Sequence, residues 1–337
     1  MFRTFFMTQL VCSSFSSMRL SFRYMSRRRP ICCHQQLSKA SPKFQKNSQC
    51  RPGFLSVLLS FSLFGTSTST DENMKQDLNE QNQDISDLIQ KGKKMLVKGE
   101  HTSKAEMLYL HALHIALERK DRRVIARVQD LLANLALTTN QLDKAEPLFR
   151  NVLQNLIATG TSQTDPAVLE ISLKLASIYA QRGEKELAIT GYEWCSETCR
   201  NNVKEMEKKN LKTKEYSNGL ALLGMILDSY GRYLHDISQN KLAFAYTAEA
   251  LEISKLLFGE KDIRTLVLLN DLSSIKSTMG DYNEALEYAR RAIKVAEENP
   301  SIADASEKAI FYANLSYIYV QQGVQQYMKP ETNSINN

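Results

Sequence analysis

From about residue 85 the chain repeats one pattern: a turn, an Ala, an aromatic or small residue four positions later, and a small residue seven positions later. Five copies centre on Ala105-Tyr109-Ala112, Ala145-Phe149-Val152, Ala188-Tyr192-Cys195, Ala243-Thr247-Ala250 and Ala285-Ala289-Ala292. Steps of four and seven return to one face of a helix with 3.6 residues per turn, so each copy predicts a helix that buries that face. The anchor alanines lie 40, 43, 55 and 42 residues apart, and a second helical stretch precedes each anchor. A regular period of this size predicts stacked helix pairs that bury a continuous core between neighbours.

The clearest copy is Leu169–Asn202, with Leu175-Ala176, Tyr179, Gly183, Ala188, Tyr192 and Cys195. Ala176 and Ala188 are small where two helix backbones cross, and Tyr179 and Tyr192 fill the space between successive pairs. Gly183 and Gly280 are placed to end a helix in the left-handed conformation that most residues resist. The long step of 55 residues coincides with the charged run Asn201–Tyr216, which extends a helix or forms a solvated loop. In the first copy Gly92 takes the small position, and the turn carries an extra residue near His101. The last copy has a good first helix, Tyr312–Gly323, but a polar tail stands where its partner belongs, so either the chain is a truncated form or something else covers Leu315 and Ile318.

This pattern resembles the tetratricopeptide repeat, and with it an all-α solenoid of antiparallel helix pairs, about five repeats plus an incomplete last one. The resemblance implies that the first helices of each pair line a concave face suited to an extended segment or a helix. In this sequence that face includes Asp130, Asn134, Leu173, Ser177, Asp228, Arg232, Asn270 and Ser274 as candidate partner-binding residues. The same register runs through Arg127, Leu137, Glu170, Ala180, Met225, His235, Val267 and Ser277. Asp228 and Arg232, four apart, are spaced for an ion pair worth about 0.2–0.5 kcal/mol if exposed. The Lys/Asn carboxylate clamp of chaperone-binding arrays is not matched, because its positions hold Asp130, Leu173, Asp228 and Asn270.

Charge changes the picture at the other end. Residues 1–70 carry ten Lys and Arg and no Asp or Glu, so the net charge of +6 divides into +10 there and −4 over 71–337. A slightly acidic body removes the electrostatic argument for nucleic-acid binding. Residues 1–50, Arg- and Ser-rich with interleaved Phe, Leu and Met, read as a mitochondrial transit peptide. Within residues 51–70 the apolar segment Phe54–Phe64 reads as a short membrane anchor, below the ~20 residues of a spanning helix. Arg51 before it and Asp71-Glu72 after it predict a body facing the intermembrane space. Residues 71–84 form a polar linker, 85–326 the repeat domain and 327–337 a tail.

Candidate chemistry is sparse. Cys195 and Cys199 are the body's only cysteines, and core packing is the simpler account of them than metal or redox chemistry. His111 and His114 share a helix face without a thiol or carboxylate placed to complete a metal site. The chain holds no GxGxxG, GxxxxGK[ST], GxSxG or HExxH motif. These features predict no enzyme activity, no cofactor and no small-molecule substrate.

Leu169–Ala180 (LEISLKLASIYA), Gly191-Tyr192-Glu193, Leu222–Leu234 (LLGMILDSYGRYL), Ala250–Ser254 and Thr265–Ser274 together resemble a mitochondrial branch of the same repeat family. That resemblance implies an inner-membrane protein associated with respiratory complex III. It implies a role in the assembly and upkeep of the complex through clearance of Rieske iron–sulfur subunit fragments. A generic adaptor array of kinesin-light-chain type is the alternative.

Overall fold

The computed structural model describes residues 85–96, 102–209 and 213–328, the side chains of 324–328 excepted. The expected leader, membrane segment, linker and extra turn residue near His101 lie outside the described residues, as does the tail from residue 329. Residues 327 and 328, assigned above to the tail, continue the last helix.

The described residues form helices throughout, with no strand among them. They are α1 (85–96), α2 (Thr102–Glu118), α3 (Arg122–Thr138), α4 (Leu142–Ala158), α5 (Pro166–Gln181), α6 (Lys185–Lys208), α7 (Lys214–Asp236), α8 (Asn240–Phe258), α9 (Ile263–Met279), α10 (Tyr282–Glu298) and α11 (Ala305–Met328). Consecutive helices pack as hairpins, and the first helices of successive hairpins also meet, α5 with α7, α7 with α9 and α9 with α11. The chain is the all-α repeat solenoid that its period predicts.

The turn chemistry explains the register. In four hairpins the residue between the two helices has positive φ: Asn140 (58°), Gly183 (76°), Ser238 (63°) and Gly280 (86°). Each lies five residues before its anchor alanine. In each, the next amide donates back across the turn, as Gln141 N to Ala136 O (2.8 Å) and Glu184 N to Tyr179 O (2.9 Å). This left-handed closure satisfies carbonyls that the first helix leaves open and starts the second helix on a fixed phase. The anchors Ala105, Ala145, Ala188, Ala243 and Ala285 are all fully buried. Side chains supply the starts: Asp121, Asp165 and Asp262 each accept from backbone amides of α3, α5 and α9.

Two alternatives left open by the sequence are resolved. The charged run after Asn201 lengthens both neighbours, so α6 and α7 have 24 and 23 residues against 17 in α3 and α4. Leu315 and Ile318 are covered after all. Ile318 is buried against Ala285, Leu286 and Ala289 of α10, and Leu315 packs beside it, while Tyr317 and Val320 face outward. Helix α11 begins at Ala305, seven residues before the expected start.

Candidate partner-binding face

The inner helices α3, α5, α7 and α9 carry the eight candidate residues, but the solenoid closes over half of them. Leu173 is 1% exposed, Asn270 2% and Asp228 0%, and Asn134 is also buried, its amide donating to Asp130 O at 2.7 Å. Asp130, Ser177, Arg232 and Ser274 stay half-buried and reachable from solvent. A face of eight exposed positions is therefore corrected to a ridge of four, supported from beneath by buried polar groups. The cause is packing: inner helices meet one another, α5 with α7, α7 with α9 and α9 with α11, so positions chosen only by helical spacing meet side chains rather than water.

Two charged centres sit in this ridge. On α5, Lys174 Nζ lies 2.8 Å from Glu170 Oε1 and 3.6 Å from Asp130 Oδ1 of α3, with the Lys174 side chain 2% exposed. Burial raises the Glu170 carboxyl above the usual carboxylate range, and Lys174 opposes that shift. On α7, Arg232 Nη2 donates to Asp228 Oδ2 at 2.6 Å. Burial pushes the Asp228 carboxyl up to about 6 against the pull of Arg232, and Asp271 of α9 adds to the rise. This is no exposed ion pair, so the value expected for a solvated helix pair does not apply. Nearer the last helix, Asn314 of α11 donates to Asn270 of α9 at 2.8 Å, and Lys276 bonds Asp281, just before α10, and Glu284 of α10 while lying 4.5 Å above the Phe244 ring.

Tyrosines join the hairpins beside these centres. Tyr192 stacks on Tyr230 at 5.2 Å and on Tyr233 at 5.5 Å, so the second helix of one repeat grips the first helix of the next. Tyr179 and Tyr230 donate to Glu146 and Glu193, each at 3.3 Å. An open recess of about 230 Å³ lies among α7, α8 and α9, lined chiefly by Ala221, Met225, Ile253, Leu257, Phe258 and Leu268. Arg264 stacks at its edge over the Phe258 ring and is held by both oxygens of Asp262.

The thiols behave as core atoms. Cys195 and Cys199 are buried and free, and donate to Leu169 O (3.8 Å) and Gly219 O (3.7 Å). Burial pushes Cys199 up to about 12 and Cys195 higher still, the opposite of what a reactive thiolate needs. His114 is exposed and pairs with Glu118 at 3.2 Å, and among the described residues no cluster of His, Cys, Asp and Glu is arranged to hold a metal. The inner ridge is thus polar and charged, without a reactive thiol or a metal site among the described residues.

Sequence reasoning passed over Lys174, Asp271 and Lys276. Lys174 had a signal, since a lone Lys in the apolar run LEISLKLASIYA with Glu four residues earlier marks a buried pair.

Residues 222–298 match the family model described as tetratricopeptide repeat. Among curated proteins, the chain is 35% identical over 250 residues to the mouse protein named tetratricopeptide repeat protein 19, mitochondrial, covering 73% of this chain and 68% of that one. The chain belongs to the mitochondrial tetratricopeptide repeat protein 19 family. The human member of the tetratricopeptide repeat protein 19 family is 34% identical over 259 residues, with the same coverage of both chains. The fruit-fly homolog is 26% identical over 299 residues, 88% of this chain and 76% of its own. Among solved structures, BtubC (BKLC) from P. vanneervenii is similar at 17% identity and a TM-score of 0.48, over 76% of this chain and 87% of that one.

Proposed function

We propose that the chain is a non-enzymatic scaffold of the mitochondrial inner membrane. In this reading it supports the assembly and maintenance of respiratory complex III, including turnover of Rieske iron–sulfur subunit fragments. The observation that carries the reading is family membership across the repeat array, with relatives whose names place them in mitochondria. The basic, acid-free leader agrees with import, and the Phe54–Phe64 segment supplies a membrane hold. Among the described residues no helix is long and apolar enough to cross a membrane, so in this reading the hold rests on that segment. The half-buried ridge Asp130–Ser177–Arg232–Ser274 is the docking face, with the recess at Met225 and Leu268 beside it for an apolar side chain. The body faces the intermembrane space.

Affinity purification of the full chain from mitochondrial extract tests this reading. Complex III is expected to co-purify, and loss of the protein is expected to leave assembled complex with low activity and accumulating Rieske fragments. Absence of complex III from the purified material would overturn the proposal in favour of an adaptor with another partner. Protease protection in mitoplasts checks the orientation, with the body digested once the outer membrane is ruptured.

A further inference from the structure

Helix α2 is apolar on two sides. Ala105, Tyr109, Ala112 and Ala116 form its buried face against α1 and α3. The opposite face carries Met107, Leu110 and Leu117, which are 63%, 49% and 52% exposed. These three fall within one narrow arc of the helix, with His114 between them. Nothing among the described residues packs on that arc.

The charge around it is distinctive. Residues 85–127 contain ten Lys and Arg against five Asp and Glu, a net +5, whereas 128–337 carry 22 against 27, a net −5. Lys91, Lys94, Lys104, Lys120, Arg122 and Arg123 all stand exposed on α1, α2 and the turn into α3. The acids near the stripe are engaged: Glu118 faces His114 at 3.2 Å and Glu106 faces Lys144 of α4 at 3.5 Å. An exposed apolar stripe flanked by cations is the pattern of a helix that lies in a membrane interface. Position agrees with this. Only residues 65–84 separate α1 from the apolar segment 54–64, and twenty residues span at most ~70 Å even when fully extended.

We propose that the first hairpin rests on an anionic bilayer surface, with Met107, Leu110 and Leu117 entering the interface and the surrounding Lys and Arg meeting lipid headgroups. The array then stands with one end on the membrane and its acidic remainder, including the docking ridge, turned away from the negative surface. This goes beyond the complex III reading and shares with it only the membrane hold at 54–64.

The test uses the full chain with its only tryptophan replaced (Trp194→Phe) and a new one at the stripe (Leu110→Trp). Vesicles contain equal parts of phosphatidylcholine and phosphatidylglycerol, with bromine on the acyl chains as quencher. The expected result is a blue shift and loss of at least half the emission. Leu256→Trp, on exposed α8, is the control and keeps its emission. Lys104→Glu/Arg122→Glu/Arg123→Glu should abolish the quenching while the melting curve is retained. Equal quenching in pure phosphatidylcholine overturns the anionic recognition. Emission at position 110 that is already blue-shifted without vesicles also overturns the proposal, since a second copy or the chain's own N-terminal segment would then cover the stripe. If the chain pellets with vesicles but position 110 is unquenched, the hairpin contact fails while the 54–64 anchor survives. If it does not pellet, both fail.

Discussion

Arg232 Nη2 donates a 2.6 Å hydrogen bond to Asp228 Oδ2 one turn earlier on α7, and the Asp228 side chain is 1% exposed while that of Arg232 is 36% exposed. The guanidinium is thus a lid on a buried carboxylate. Removing one partner of such a pair costs about 3–5 kcal/mol, because the remaining charge stays buried. Arg232 is itself partly solvated, so Arg232→Ala is expected to lose less than that, about 1–3 kcal/mol at neutral pH. The exchange Asp228→Arg with Arg232→Asp should be worse than neutral, since a long guanidinium must then enter the space of a small carboxylate. Urea denaturation of the three proteins checks both statements, and an exchange variant as stable as wild type would show that the pair is solvated.

The same carboxyl sets a pH dependence. Burial, with Arg232 opposing and Asp271 adding, raises Asp228 from 3.8 to about 6 in the folded chain. Between about pH 4 and pH 6 the folded state therefore holds a proton that the unfolded state has released, and stability from this group falls as pH rises. The slope is at most about 1.4 kcal/mol per pH unit. Asp228→Asn removes the term. The stability of wild type relative to Asp228→Asn should decline through that window and level off above it, read by urea titration at several pH values.

Two glycines of α7 should respond with opposite signs to the same substitution. A Cβ on Gly231 would press on Thr247 of α8, with its backbone N at 3.3 Å and its hydroxyl closer still. A Cβ on Gly219 would meet Val203 Cγ2 at 3.5 Å and Met206 Sδ at 3.8 Å, both ordinary contacts. Alanine gains about 1 kcal/mol over glycine inside a helix. Gly219→Ala should keep that gain. Gly231→Ala should lose it and more, a net cost of about 1–3 kcal/mol from overpacking. Thermal melts of the two variants provide the comparison.

Much of this fold is legible in the sequence because the anchor alanines and their partners at four and seven residues are set by sterics at helix crossings, where few residue types fit. Gly183 and Gly280 are readable for the same reason. Asn140 and Ser238 are not, since an Asn or Ser in a left-handed turn looks like any polar loop residue until the turn is seen. The proposed docking face is half legible. Helical spacing places Asp130, Ser177, Arg232 and Ser274 at partly exposed positions but cannot say that Leu173 and Asp228 are buried, because burial depends on how successive hairpins pack. The exposed stripe of α2 shares the residue types of a core, and only the absence of a neighbour among the described residues separates the two.

The Glu170–Lys174 pair is the cleaner place to test the inner ridge. Both side chains are nearly closed from solvent, at 9% and 2% exposure, while Asp130 at 27% still reaches water. Lys174→Met alone leaves Glu170 buried without its cation, and a loss of about 3–5 kcal/mol is expected. Replacing both, Glu170→Leu with Lys174→Met, exchanges a buried pair for apolar groups of similar volume among Leu169, Leu173 and Ile178, and such exchanges are often neutral or stabilising. The double variant should therefore melt near wild type while Asp130 loses its cationic neighbour. If the ridge binds through charge, complex III recovered with the double variant should fall at matched expression. Unchanged recovery would place the docking surface elsewhere on the array, and a double variant as unstable as Lys174→Met would mean that this site does not tolerate an apolar pair.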